Sequence, residues 1–148
     1  MTAPNRAVPN VITESFPRVR PKITNRNAHF WQGGEDGILR LLRCQDCGTY
    51  LHPPTPVCPS CRSMQVAPEP LSGRGTVYAY TVNHYRWVPD MEPPYVVALV
   101  ELAEQAGLQL MTNIVGCPLD EVHTGMEVEV VFARNDDVYV PLFRPAVK

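Results

Sequence analysis

Two Cys-x-x-Cys pairs constrain this chain more than any other feature of its sequence. Cys44 and Cys47 form the first pair, and Cys58 and Cys61 form the second after a spacer rich in proline and threonine. Each pair curls the backbone so that both thiolates point at one spot, and two such turns supply the four soft ligands of a closed tetrahedral zinc site. The spacing therefore predicts a zinc ribbon, with iron or a pair of disulfides as the alternatives.

The predicted zinc is structural rather than catalytic. Four thiolates saturate the ion and leave no open position for water activation. His52 lies between the two pairs and is an alternative ligand, but with four cysteines in place we expect it to pack rather than to bind metal. Cys117 has no partner pair, and we expect it to be a small buried hydrophobe.

Composition limits the classes of function. The 148 residues suffice for one ordinary domain or two very small ones, and the formal net charge of -2 argues against wholesale binding of nucleic acid. We expect no membrane span, because no apolar run approaches the roughly 20 residues that one needs. We also expect no secretory signal, since the N-terminus lacks an apolar core. Paired thiols with an odd fifth cysteine then favour a reducing cytoplasm.

Residues 1–36 are predicted to form an extended arm and a short helix. The arm is rich in proline and basic, with Arg18, Arg20 and Lys22 among its cations, so a solvated tail and an arm that meets a partner or ligand phosphates both remain open. A helix beginning after Asn27 would carry Phe30 and Trp31. Adjacent aromatic side chains on so short a helix cannot both face a small core, so one is a candidate contact for a partner or an apolar ligand.

The rest of the chain is predicted to be a zinc ribbon over residues 37–66 and a barrel over residues 67–148. Alternation of apolar and polar residues predicts five strands in the barrel, with one helical turn at 117–123 between the third and the fourth strand. This is the order of an OB-fold. The predicted strands are 76–82, 95–102, 108–115, 126–132 and 138–143. The fold class is therefore mainly β, with a short helical arm, a rubredoxin-like ribbon and a five-stranded OB-fold.

A further candidate site follows the first barrel strand. His84, Arg86 and Trp87 bring together a proton carrier, a cation and an aromatic face, which suits contact with a ligand or a partner as well as it suits mutual packing. The Gly73-Arg74-Gly75 run is too short to cradle a phosphate and favours a tight turn. None of the four histidines lies in a nucleophile motif, so no catalytic residue is predicted.

Read in order, these motifs resemble one protein family. The chain is similar to acyl-CoA-associated proteins that join a rubredoxin-like zinc ribbon to an OB-fold, formerly catalogued as a domain of unknown function. The resemblance covers residues 29–145. Its motifs are Phe30-Trp31, Arg43-Cys-Gln-Asp-Cys-Gly48, Pro53-Pro54, Val57-Cys-Pro-Ser-Cys61, Ser72-Gly-Arg-Gly-Thr-Val77, Pro94-Tyr-Val-Val-Ala-Leu-Val-Glu-Leu102, Thr112-Asn-Ile-Val-Gly116, Gly125-Met-Glu-Val-Glu-Val130 and Pro141-Leu-Phe-Arg-Pro145.

The resemblance implies an accessory subunit that borrows its catalysis. Such subunits accompany thiolase-like enzymes, including the lipid-transfer-protein type that performs thiolysis or retro-aldol cleavage in lipid and steroid side-chain degradation, or enoyl-CoA hydratases. They help to hold the acyl-CoA, whose phosphates are expected at the basic arm-to-ribbon region with Arg74 or Arg86 from the barrel. The residues predicted to contact acyl-CoA or the partner are Phe30, Trp31, Arg43, Arg74, His84, Arg86 and Trp87.

Two other functions remain open at this stage. One is a free-standing acyl-CoA carrier that needs no enzyme partner. The other is a protein that binds single-stranded nucleic acid, because zinc ribbons and OB barrels both commonly do so. Tyr78 and Tyr80 would offer stacking faces, but Glu101, Glu127 and Glu129 make the same strands acidic.

Overall fold

The computed structural model describes residues 8–13 and 18–147, so the arm features expected within 1–7 and 14–17 lie outside the described residues. The fold is mainly β, as predicted. One helix, α1, and two 3-10 turns accompany nine strands, and no helix in the described ranges is long and apolar enough to span a bilayer. The elements are β1 Val11–Ile12, α1 Ala28–Trp31, a 3-10 turn Gly33–Asp36, β2 Arg40–Cys44, β3 Tyr50–Leu51, β4 Val66–Pro70, β5 Arg74–Asn83, β6 Tyr95–Leu102, β7 Gln109–Ile114, a 3-10 turn Leu119–Glu121, β8 Glu127–Asn135 and β9 Val138–Pro145.

Strands β5 to β9 form the predicted five-stranded OB barrel. Their order in the sheet is β8-β5-β6-β7-β9, and antiparallel pairing of β9 with β8 closes the barrel. Strand β1 adds a parallel edge to β8, with Val11 opposite Phe132. The sequence did not predict β1, because two apolar residues in a proline-rich arm give no measurable alternation.

The ribbon is a separate three-stranded antiparallel sheet in the order β3-β2-β4. Strand β4 pairs with β2 along its whole length, from Val66 opposite Cys44 to Pro70 opposite Arg40. The boundary at residue 66 stays a prediction, although this pairing carries the ribbon's sheet on to Pro70.

The period-two pattern of the barrel strands places one face of each in a common core. Along β6 every second residue is buried, beginning with Val96. Strand β8 is buried on both faces in its middle, because Val131 and Ala133 pack with Leu142 in a second cluster on the outside of the barrel. Phe132 and Phe143 are fully buried in the main core.

Helix α1 and the following 3-10 turn lie on this core. Phe30 is buried, and a Cβ at Gly34 would lie 2.3 Å from the Phe132 ring, so only glycine permits the turn to approach this closely. Asn27 precedes the helix as predicted, but its side chain makes no capping hydrogen bond to the helix. Instead it accepts a hydrogen bond from the Thr24 N–H and donates one to the Lys22 carbonyl. These bonds order the turn that leads into α1.

The described part of the arm lies on the barrel. Asn10 donates a hydrogen bond of 2.7 Å to the Gly37 carbonyl, and Arg18 donates one of 2.7 Å to Asn113. Arg20 forms an ion pair with Asp137 in the β8–β9 turn. Between residues 18 and 27 the chain is therefore anchored to its own domain, and two of its expected phosphate-binding cations already have partners.

One glutamine joins the ribbon to the barrel. The Gln105 side chain, in the β6–β7 turn, accepts a hydrogen bond of 2.8 Å from the Tyr50 N–H and donates one of 3.1 Å to the Tyr50 carbonyl. The Leu71 N–H also donates to the Leu39 carbonyl where the two sheets meet. Because both main-chain groups of Tyr50 are bound, strand β3 has a defined position over the barrel.

Candidate functional site

The two cysteine pairs adopt the same local conformation. In the first, the Gly48 N–H donates to the Cys44 carbonyl at 2.9 Å; in the second, the Arg62 N–H donates to the Cys58 carbonyl at 2.8 Å. Both turns end on a left-handed residue, with φ of 81° at Gly48 and 63° at Arg62. Glycine adopts this conformation freely and arginine does so at a cost, so the second turn depends more on the metal and its neighbours.

The four sulfurs converge as a tetrahedral ion requires. All four lie within 4.8 Å of one another, with Cys44 and Cys61 Sγ 3.5 Å apart and Cys47 and Cys58 Sγ 3.6 Å apart. Sulfurs bound at about 2.3 Å to a tetrahedral zinc would be separated by about 3.8 Å, whereas a disulfide needs about 2.05 Å. The donor set fits structural zinc and not two disulfides, which confirms the predicted cofactor.

The environment of Cys47 favours the thiolate that zinc needs. The Thr49 hydroxyl lies 3.2 Å from the Cys47 sulfur. This contact, together with the Thr49 backbone, lowers the pKa of Cys47 to about 6. Deprotonation of Cys47, one of the four ligands, is therefore favoured before metal binding.

His52 is not a metal ligand. Its ring packs 4.9 Å from that of Phe30, and its Nδ1 is buried without a hydrogen-bond partner in the structure. Burial lowers the pKa of His52 to about 4, with a smaller contribution from the nearby His29. The imidazole is therefore neutral at physiological pH. Its unpaired Nδ1 lies in an apolar setting, which lowers the stability of the fold unless a ligand or water binds this atom.

This histidine lines an apolar cavity of about 400 Å³ between the ribbon and the barrel. Its walls come from the helix, the ribbon spacer and strands β7 and β9, with Phe30, Trp31, His52, Met111 and Val140 among them. Trp31 and Val140 also line a second apolar cavity of about 240 Å³, whose other lining residues are Val88 and Met91 of the β5–β6 loop and Arg18, Val19 and Pro21 of the arm. Together the two cavities make a largely apolar surface that includes Trp31.

The predicted aromatic pair therefore divides its roles. Phe30 is in the core, and Trp31 is half-buried and faces both cavities. Their rings meet edge to face at 4.7 Å, so the buried Phe30 holds Trp31 in place. This arrangement agrees with the expectation that only one of the two side chains would face the core.

The predicted cations lie apart from one another. Arg43 sits in the ribbon, 4.6 Å from the Tyr50 ring, and donates a hydrogen bond to the Gly48 carbonyl. Arg74 lines a different cavity of about 490 Å³, where Glu101 and Glu127 accompany it. The structure does not bring these two side chains into one site, and their contact with acyl-CoA stays a prediction.

The segment 84–87 packs partly on itself. Tyr85 and Trp87 rings are 4.6 Å apart, and the Trp87 indole donates a hydrogen bond of 2.8 Å to Asn83. Arg86 donates to the Glu92 carboxylate at 2.6 Å, while His84 is exposed. Trp87 nevertheless remains 71% exposed, so self-packing leaves one broad aromatic face available.

The sequence did not predict the barrel side of the cavity of about 400 Å³ beside Trp31, called the Trp31 cavity below. Met111, Val140 and Pro141 line it, yet each appears in the sequence as an ordinary strand residue. The one available signal was Met111, an apolar residue that proves to be 72% exposed in the alternation of β7. Strand periodicity tells which face a residue occupies and not whether another element covers that face.

Comparison with known proteins places both parts of the chain. Residues 31–66 match the model of the ChsH2 rubredoxin-like zinc ribbon domain, and residues 68–133 match that of the ChsH2 C-terminal OB-fold domain. A solved chain of the "Ltp2-ChsH2(DUF35) aldolase" is 41% identical with a TM-score of 0.78, over 86% of this chain and 100% of that chain.

Two curated relatives are enzyme subunits by name. A probable enoyl-CoA hydratase alpha subunit of Thermomonospora curvata is 42% identical over 91% of this chain and 43% of its own length, so the chain spans less than half of that relative. The benzoylsuccinyl-CoA thiolase subunit BbsA of Thauera aromatica is 30% identical over 69% of this chain and 71% of its own length.

Replacement of a zinc ligand should unfold the ribbon first. We expect Cys58→Ser to reduce the metal content from one zinc per chain to near zero, because three thiolates no longer close the site. The strands of the barrel should remain visible by circular dichroism. Cys117→Ser, which alters a cysteine outside the cluster, is the control and should keep one zinc per chain by metal analysis. Full zinc occupancy in Cys58→Ser would contradict the four-thiolate site.

The neutral His52 should make the protein lose stability in mild acid. Below a pH of about 6.5 the unfolded chain takes up a proton that the folded His52 refuses until about pH 4, so the free energy of unfolding falls between these values. The difference corresponds to about 3 kcal/mol at most. Urea denaturation across this range should show a weaker pH dependence for His52→Gln.

The control for this measurement is His84→Gln, which alters an exposed histidine outside the cavity. Zinc content measured at each pH separates metal release from the titration, and the difference between the curves at equal zinc content isolates His52. Parallel curves for wild type and His52→Gln would show that this ring is protonated equally in both states.

Proposed function

The chain belongs to the ChsH2 (DUF35) family of zinc-ribbon and OB-fold proteins, and from this premise we propose that it is an accessory subunit of an acyl-CoA-processing complex. It binds a thiolase-like enzyme of the thiolysis or retro-aldol type, as in lipid or steroid side-chain degradation, or an enoyl-CoA hydratase, and helps to hold the acyl-CoA. One observation supports this most strongly: the likeness to the ChsH2(DUF35) aldolase chain extends over that chain's entire length.

The chemistry of the described residues supports an accessory role. The zinc site is closed by four thiolates, so it offers no position for a substrate. In the part of the chain that the structure describes, the only hydrogen bond of a histidine ring is that of His123 to the Glu121 carbonyl, which does not activate a nucleophile. Catalysis is therefore assigned to the partner.

The Trp31 cavity is the best place for the acyl-CoA. It is apolar, its volume of about 400 Å³ suits part of a thioester's pantetheine or acyl chain, and His52 offers one neutral polar atom. Asn27, which lines the cavity, directly follows Arg26, and its side chain donates a hydrogen bond to the Lys22 carbonyl, so the main chain of both exposed cations lies near the cavity. An anionic head with an apolar tail matches this distribution of charge.

These two cations are better placed for phosphates than the barrel arginines. Lys22 and Arg26 have no acidic partner within the described ranges. Arg86 is held by Glu92, and Arg74 shares its cavity with Glu101 and Glu127, whose charges would repel a phosphate. A phosphate at Arg86 would first have to displace a carboxylate.

The accessory role predicts that activity needs two chains. The purified chain alone should turn over no acyl-CoA thioester, and turnover should appear with the thiolase-like or hydratase subunit that co-purifies with it from its native host. Trp31→Ala should weaken that assembly by about 1 to 2 kcal/mol if Trp31 anchors the interface. Val147→Ala, at an exposed residue outside the cavity, is the control for the affinity measurement. Robust turnover by the isolated chain would overturn the proposal.

A titration with CoA and dephospho-CoA should locate the phosphate contacts. We expect Lys22→Ala/Arg26→Ala to bind CoA several-fold more weakly and to lose most of its preference for CoA over dephospho-CoA, because the missing charges no longer meet the 3′-phosphate. The wild-type preference should shrink as salt rises. The Arg74→Ala/Arg86→Ala variant tests the original sequence prediction in the same assay. If neither variant alters affinity, the partner alone holds the nucleotide.

A further inference from the structure

The second half of β5 is an open sheet edge. Strand β5 pairs with β6 along its whole length, but it pairs with β8 only from Arg74 to Thr76. A bulge between Val77 and Ala79 then turns the strand away from β8. Beyond this point one side of β5 has no neighbouring strand among the described residues.

The ladder of β6 shows which groups point to that open side. In an antiparallel sheet the N–H and C=O of one residue point to the same edge, and successive residues alternate. The Leu102 N–H donates a hydrogen bond to the Leu108 carbonyl, on the β7 side. The main-chain N–H and C=O groups of even-numbered residues in β6 therefore point to β7, and those of odd-numbered residues point to β5. Leu99 and Val97 therefore bond to the β5 residues opposite them, Ala79 and Thr81.

The residues between these contacts direct their main-chain groups outward. Tyr80 lies opposite Ala98, and Val82 lies opposite Val96. The main-chain groups of Ala98 and Val96 point to β7, so they do not bind those of Tyr80 and Val82. No hydrogen bond of the described residues engages the main chain of Tyr80 or Val82 at the open edge. The edge thus presents two N–H groups and two carbonyls in the spacing that one extended strand would bind.

The sequence along this edge is uncharged and includes exposed aromatic residues. From Gly75 to Asn83 the sequence contains no charged residue, and Arg86 beyond it is neutralised by Glu92. Tyr78 is 56% exposed and Trp87 is 71% exposed on either side. Edge strands that remain unpaired usually carry lysine, proline or inward charges, and this edge has only its bulge.

We propose that this edge docks an extended, uncharged segment of the catalytic subunit, which adds a strand to the barrel opposite Tyr80 and Val82. This inference rests on the proposed function, since it takes the occupant to be the enzyme. Charge complementarity favours a segment of β-branched and aromatic residues, because a charged strand would be desolvated against Tyr78 and Trp87 without a counter-ion.

The position of the edge also favours the enzyme over a second copy of this chain. The loop that follows β5 carries Val88 and Met91, which line the apolar cavity beside Trp31. The open edge, the Tyr85–Trp87 pair and this cavity therefore follow one another along one stretch of chain. A strand docked at β5 brings its subunit towards the surface proposed to hold the acyl-CoA.

Amide hydrogen exchange on the complex tests this directly. The probe is the thiolase-like or hydratase subunit that co-purifies with the chain. In the free protein the Tyr80 and Val82 amides should exchange quickly, whereas those of Ala79 and Thr81, which belong to the β5–β6 ladder, should already be slow. Binding should slow Tyr80 and Val82 by about tenfold or more, the equivalent of about 1.4 kcal/mol. Ala79 and Thr81 are internal controls.

A proline variant separates main chain from side chain. Tyr80→Pro removes one outward N–H without breaking the ladder to β6, and Tyr80→Ala removes the same side chain but keeps that N–H. We expect Tyr80→Pro to bind the enzyme subunit about tenfold more weakly than Tyr80→Ala. Unchanged zinc content and circular dichroism check that each variant is folded; if Tyr80→Pro is not, the exchange measurement on the wild type decides.

The outcomes distinguish the two proposals. A complex that forms while the Tyr80 and Val82 amides stay fast overturns the docking edge and leaves the accessory role intact. Failure of the chain to bind any such enzyme subunit overturns the accessory role and this inference with it. Protection of the two amides in the protein alone, with a dimer in solution, assigns the edge to a second copy and overturns the assignment to the enzyme.

Discussion

The zinc tetrathiolate is the constraint on which the rest of the structure depends. The ribbon's own hydrophobic cluster consists of Leu42, Cys44, Leu51 and Cys58, so half of the buried residues in this cluster are metal ligands. So few apolar side chains cannot offset the conformational entropy of ordering some thirty residues, and the metal supplies the missing free energy.

Two contacts connect the zinc ribbon to the proposed ligand cavity. The Gln105 side chain binds both main-chain groups of Tyr50, which fixes β3 against the barrel. The ring of His52 then packs on Phe30, whose neighbour Trp31 faces the cavity. The ribbon and the barrel each contribute one wall, so neither domain forms the site alone. This division gives the structural zinc a role in shaping the cavity.

Some polar groups on the surface are bound within the chain, and others have no partner among the described residues. Most arginines of the arm and ribbon are bound to their own chain, as Arg40 is to Asp36 and Arg20 is to Asp137. Exposed pairs of this kind add little stability, but they remove these cations from the set available to a ligand. Among the described residues, Lys22 and Arg26 have no acidic partner, and the main chain of Tyr80 and Val82 is unpaired at the edge of the barrel. A partner and an anionic ligand are the species that such groups bind.

The sequence by itself determined the metal ligands, the fold class and the five barrel strands, because each rests on local rules. Cysteine spacing sets where thiolates converge, and period-two alternation sets which side chains face a core. Strand β6 was predicted residue for residue over Tyr95–Leu102. Only the tertiary structure decided that Arg86 pairs with Glu92, that Met111 lines a cavity and that His52 is neutral. It also decided that half of one edge of β5 is unpaired among the described residues. Those properties depend on which distant segments lie against one another, and periodicity carries no information about the partner that covers a face.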